Sequence, residues 1–150
     1  MEKILHMIIG AVGTGKTHLT NILSKAWNVE ILSADDIETK CKGEMTEADI
    51  DGEIMECFFG MLDQENSFIL DGLNLTIDGR KIYIDHAKAS GFKVYVYDLG
   101  PGNKQSLERR LRDNRGISKE RWIELAQSNI ESYQKPTKKI EKMDKLYTLY

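Results

Sequence analysis

The stretch IIGAVGTGKTHL, residues 8–19, constrains this chain more than any other. An apolar run ends at Gly10, glycines recur at Gly13 and Gly15, and an amphipathic pattern resumes after Lys16-Thr17. Residues 10–17, GAVGTGKT, fit the spacing G-x-x-x-x-G-K-[ST]. The spacing has a physical reason. Where a strand ends, the backbone must wrap an anion so that successive N–H groups point inward. Side chains would block that approach, and some of the torsions need a positive φ, which glycine adopts freely. A helix starting at about Gly15 then turns its partially positive N-terminus toward the same anion. Lys16 adds a formal charge for the β- and γ-phosphates of a nucleoside triphosphate, and the Thr17 hydroxyl is a hard oxygen ligand for Mg²⁺. Gly10, Ala11, Val12, Gly13, Thr14, Gly15, Lys16, Thr17 and the adjoining His18 are therefore the expected site for ATP and Mg²⁺.

The rest of the chain surrounds this loop with alternating elements. Short apolar runs at 3–9, 29–33, 67–70, 92–99 and 145–150 read as strands. Leu19, Ile22, Leu23 and Ala26 recur at helical spacing, as do Ile50, Ile54, Cys57, Phe58, Met61 and Leu62. Thr46 with Asp49 predicts a capping box opening the second of these helices. Further helices are predicted from about Thr76 to Ser90, at about 103–114 and at about 118–134. The last carries a stripe of Trp122, Leu125, Ala126, Ile130 and Tyr133. Strands alternating with helices predict one three-layer α/β domain over residues 1–150, with a parallel sheet of about five strands covered on both faces. Combined with the glycine loop, this is a P-loop NTPase fold.

Composition narrows the function classes. At 41% hydrophobic and 30% charged residues the chain reads as globular, and a net charge of −3 argues against a long, sequence-independent grip on duplex nucleic acid. No segment reaches the ~18–20 apolar residues of a membrane span. The run 4–9 is too short for a signal peptide, so the expected location is the cytoplasm. Cys41 and Cys57 lack paired spacing and read as free thiols, and His6, His18 and His86 lack metal-ligand spacing. The stretch KPTKKIEKMDK reads as the solvated basic tail of a helix.

Three features choose among phosphate-loop proteins. Asn103-Lys104-Gln105-Ser106 lacks the aspartate that would read a guanine, and FILDG supplies the single acid Asp71 where motors carry an acidic pair. Both features favour a small kinase that closes a lid. ILSADD ends in Asp35 and Asp36, and ligands in such sheets lie beyond the carboxyl ends of the strands. Asp35 is placed to accept a proton from an attacking hydroxyl, and Asp36 to cap the following helix. From Lys104 to Arg121 the chain carries seven Lys or Arg against three acids. This is the expected arginine-bearing lid, about 103–118, in which Arg109 and Arg110 read as a solvated face. Arg112 and Arg115 read as nucleotide contacts, Arg115 neutralising the transferred phosphoryl group.

These residues resemble the 5′-hydroxyl polynucleotide kinase domains of phage and bacterial RNA-repair enzymes. The resemblance rests on GAVGTGKT, on LSADD, on LDGLNLT at 70–76, on RLRDNRG, and on the terminal KLYTLY. It implies Asp35 as the general base and Lys16 and Arg115 as catalytic cations. It further implies Asp71, Asn74 and Arg80 as substrate-side residues and a polynucleotide 5′-OH as the acceptor. Phage members carry an arginine three residues after the base aspartate, where this chain has Glu38. Residues 44–65 add eight acidic residues and no Lys or Arg, read either as a solvated helix face or as a surface that repels a phosphate backbone. A small metabolite or nucleoside hydroxyl, or a nucleotide-binding module without an acceptor, are the alternative expectations. No protein partner is implied.

Overall fold

The computed structural model describes residues 2–41 and 43–150. The chain runs β1 (Ile4–Ile9), α1 (Lys16–Trp27), β2 (Glu30–Ser33), α2 (Ala34–Cys41), α3 (Glu47–Asp63), β3 (Phe68–Asp71), α4 (Ile77–Ala89) and β4 (Lys93–Asp98). It continues through α5 (Lys104–Arg112), α6 (Lys119–Ser132), α7 (Lys138–Glu141) and β5 (Lys145–Thr148). The strands form one parallel sheet in the order β2-β3-β1-β4-β5. This is the three-layer α/β architecture expected from the sequence.

The strand period of two sorts the side chains into layers. Leu5, Met7 and Ile9 with Phe68, Leu70, Val94 and Val96 point to one face, where Phe58, Leu62, Ile84 and Ala87 of α3 and α4 cover them. Ile8, Ile69 and Tyr97 point to the other, against Leu19 and Leu23 of α1. The central strands are thus enclosed on both sides, which is why they read as continuous apolar runs.

Several local expectations are corrected. Helix α2 follows β2 directly, and the Asp36 N–H donates to Ser33 Oγ at 3.2 Å. Ser33, not Asp36, supplies the cap. The lysine-rich stretch after Tyr133 is no solvated tail: Pro136, Glu141 and Met143 are buried and α7 turns within it. Ile22 and Ile130, assigned to core stripes, are 50% and 48% exposed. Thr46 accepts the Asp49 N–H at 3.2 Å, the expected start of α3.

Two buried polar groups shape stability. Arg80 is fully buried and all five of its N–H donors are used. Nε and one terminal nitrogen meet Glu141 at 2.7 and 3.2 Å, and the rest meet the carbonyls of Asn74, Leu75 and Gln134. Removing one partner leaves an uncompensated buried charge, so Arg80→Ala should cost roughly 3–5 kcal/mol in urea unfolding. His6 is buried between Tyr97, Tyr95 and Trp27 and bonds the Tyr97 hydroxyl at 2.9 Å. Burial pushes its pKa down to about 4, so the unfolded chain takes up the proton first as pH falls. Stability should therefore decline between about pH 6.5 and pH 4, and replacing His6 by Gln should flatten that slope in unfolding titrations.

Candidate active site

The site lies at the carboxyl ends of β1, β2 and β3. Ser33 and Asp71 are paired at the ends of β2 and β3, so Asp35, one step into α2, stands beside Asp71. Gly15 (φ 96°) turns the chain into α1, and Lys16 reaches across so that its Nζ lies 3.9 Å from Asp35 Oδ2. The Lys16 side chain is 10% exposed and Asp35 63%. One end of this pair is therefore buried and the other faces solvent, as an acceptor group entering from outside requires.

Charge is concentrated here at a desolvation cost. Burial lowers the Lys16 pKa, opposed by Asp35 and Asp71, and Arg110 and Arg115 lower it further. Burial raises the Asp71 pKa, and Asp35 adds to the rise while Lys16 opposes it. Asp71 Oδ1 and the Thr20 hydroxyl, one turn after Lys16, are both buried; Thr20 opposes the rise of the Asp71 pKa, but neither atom makes a hydrogen bond of good geometry. A buried carboxylate with only the Thr20 hydroxyl beside it, near the helix start that carries Thr17, offers hard oxygen donors, a chemistry that fits Mg²⁺. Among the described residues no cluster of three or more His, Cys, Asp or Glu forms a metal site without a ligand's help.

The phosphate loop is held from all sides by its own main chain. The N–H groups of Gly10 and Ala11 donate to the Leu73 and Gly100 carbonyls at 3.2 and 3.1 Å, and that of Val12 to Asn129 Oδ1 at 2.9 Å. These three residues frame the loop through their amides. The first-turn amides of Lys16, Thr17 and His18, which helix geometry leaves without intrahelical partners, are the ones suited to phosphate.

Helix α5 rests directly on the loop, and here one expectation changes. Arg109 donates Nε and a terminal nitrogen to the Gly13 carbonyl at 3.1 and 3.0 Å. Arg110 lies over the Trp122 ring at 5.2 Å, with Nε buried and unpartnered. Arg109 stays exposed while bonded to the loop, whereas Arg110 is half-buried and departs from a solvated face. Both follow Ser106 by three or four residues, on the same helix face, and Ser106 packs on Gly13, a contact that no local spacing signals. Arg115 is exposed at φ 53° in the 113–118 turn, and Arg112 is exposed on α5. Arg80 is corrected outright: with every donor occupied in the core it has nothing left for a substrate. The Asn74 side chain donates to the Ile8 carbonyl at 2.8 Å and so braces the end of β1.

Gly13 is required twice. Its φ of 74° suits only glycine, and a Cβ there would strike the Ser106 carbonyl. Gly13→Ala should therefore lift α5 off the loop and weaken Mg·ATP binding by roughly tenfold or more, as read by calorimetry, at the cost of a backbone strain of about 1–3 kcal/mol.

Comparison with known proteins follows the same lines. No curated protein matches by sequence. Among solved structures, the Mycobacterium tuberculosis APS kinase CysC in complex with AMPPNP and APS is 11% identical. It superposes with a TM-score of 0.71 over 98% of this chain and 88% of its own. Chaetomium thermophilum Kti12 in complex with ADP-AlF3 is 18% identical, with a TM-score of 0.66 over 97% and 88%. A fungal RNA kinase is 21% identical, with a TM-score of 0.62 over 100% and 75%. At such identities the likeness is one of fold. A family model described as an AAA domain, AAA_33, matches residues 5–135, the span from β1 through α6. With its phosphate loop and four of its five strands inside that span, the chain belongs to this AAA domain family.

Proposed function

We propose that this chain is an ATP-dependent phosphotransferase acting on a hydroxyl acceptor. The observation that carries the reading is the Lys16–Asp35 pair at 3.9 Å, a buried cation beside an exposed carboxylate at the mouth of the phosphate loop. The amides of Gly13, Gly15 and the first turn of α1, with Lys16, hold the triphosphate. Asp35 orients the acceptor hydroxyl and takes its proton as the new O–P bond forms. The bond from the γ-phosphorus to the bridging oxygen breaks, and ADP departs. Arg110, steadied on Trp122, and Arg115 face the same charge from the lid and offset the negative charge spread over the transferred group. Mg²⁺, with Thr17 and Asp71 as its oxygen donors, would supply further neutralisation of the β- and γ-oxygens.

For the acceptor, a polynucleotide 5′-OH is supported by the order of the sequence motifs and by the likeness in fold to the fungal RNA kinase. A small hydroxyl compound is the second reading, favoured by a specific observation. Arg80 is locked in the core, and the α2 side of the site carries Asp35, Asp36 and Glu38. Binding of ATP and of an anionic acceptor would draw on the same few cations.

Labelled γ-phosphate separates the readings. Transfer to a 5′-OH oligonucleotide supports the first acceptor, transfer to small alcohols or sugars the second, and release only as free phosphate argues against both. Asp35→Asn should lower transfer roughly 10²–10⁴-fold while ATP affinity stays near wild type. Normal transfer by that variant would remove Asp35 from the mechanism.

A further inference from the structure

The segment that covers the phosphate loop leaves the sheet after β4 and returns after α6. Both of its ends meet on one carboxylate. Asp98, the last residue of β4, is fully buried. Its Oδ1 accepts the Gly100 N–H at 2.9 Å, where the covering segment begins. Its Oδ2 accepts the Tyr133 hydroxyl at 2.6 Å, and Tyr133 is the residue that ends α6.

The same carboxylate connects to the loop by two routes. The Gly100 carbonyl accepts the Ala11 N–H at 3.1 Å. The Asn129 carbonyl accepts the Tyr133 N–H at 3.0 Å, and the Asn129 side chain holds the Val12 N–H. Because the Tyr133 hydroxyl donates to Asp98, the Tyr150 hydroxyl, 2.9 Å away, donates to Tyr133 and forms an outer layer. Gly100 sits at φ 86° with the Tyr150 ring where a Cβ would stand, so the leading hinge admits little variation.

We propose that Asp98 is a positioning residue for the phosphotransfer site. It clasps the two hinges of the 101–132 segment together and thereby sets α5, with Arg109 and Arg110, over the phosphate loop. The inference rests on the phosphotransferase reading above. A buried carboxylate is costly unless its lone pairs are satisfied, and hydrogen bonds to a charged acceptor are among the stronger ones. Here both oxygens are satisfied by groups that belong to opposite ends of the segment from Gly100 to Tyr133. A core role alone would be met by an apolar side chain, as Val94 and Val96 show on the same face of β4.

Tyr133→Phe is the variant of choice, since it cuts one arm of the clasp and keeps the ring. Hydrogen exchange without nucleotide should show α5 and α6 amides losing protection roughly tenfold while β1, β3 and β4 amides are unchanged. In steady-state assay the KM for ATP should rise about tenfold, with the acceptor KM within about twofold. Tyr150→Phe, which leaves the Asp98 bonds in place, should stay within about twofold on every readout. Unchanged exchange in Tyr133→Phe overturns the clasp. Looser helices with an unaltered KM for ATP reduce Asp98 to a structural residue and overturn the positioning role. A wild-type chain that transfers no phosphate refutes the phosphotransferase reading instead, and the exchange arm still decides whether Asp98 clasps the hinges.

Discussion

The hydrogen bonds made by the backbone of the phosphate loop are what the rest of this structure depends on. A glycine-rich loop has few side chains with which to pack, so its shape is decided by where its N–H and C=O groups find partners. Here the partners come from four separate segments: Leu73 after β3, Gly100 after β4, Arg109 of α5 and Asn129 of α6. Four later segments thus have a direct grip on residues 10–13. The loop is in effect the meeting point of the chain.

Electrostatics follow from that meeting. Lys16, Asp35 and Asp71 are brought together at the carboxyl end of the sheet, within reach of the charges of Arg110 and Arg115. Burial pushes the Lys16 and Asp71 pKa values toward neutrality of each group, which is the direction expected when charged groups are taken from water. A triphosphate brings the opposite sign to three cations at once, and it would favour the charged form of Lys16. Such a pocket is arranged for a polyanion and not for the pair alone.

Two buried carboxylates, Glu141 and Asp98, show how the same physical requirement serves different ends. Glu141 pairs with Arg80 and, through the Asn74 and Leu75 carbonyls, holds the turn that follows Asp71. Asp98 joins the two ends of the segment from Gly100 to Tyr133. In both cases a charge is tolerated in the interior because its oxygens have donors, and each carboxylate has at least one partner far away in the chain: Arg80 for Glu141 and Tyr133 for Asp98. Arg80 is instructive in this respect. Its place after LDGLNLT suggested a substrate contact, but it lies one turn inside α4 on the face that meets α7, and there it had to be paired with Glu141.

Local rules were sufficient for much of this molecule. Apolar runs marked all five strands, helical spacing marked α1, α3, α4, α5 and α6, and GAVGTGKT marked the loop, because period, capping and positive φ act over a few residues. For α2 the helix was expected but its start was not, because it begins without a loop and Ser33 caps it; α7, one turn long, left no periodic signal. Which arginine does what was beyond local reach. Arg109 and Arg110 carry the same charge pattern as a solvated face, and Arg80 the same motif as a substrate contact. Their roles come from Gly13, Trp122 and Glu141, residues 12 to 96 positions away. A side chain's chemistry is written in the chain, but its partners are chosen by packing, and packing joins residues that no spacing rule relates.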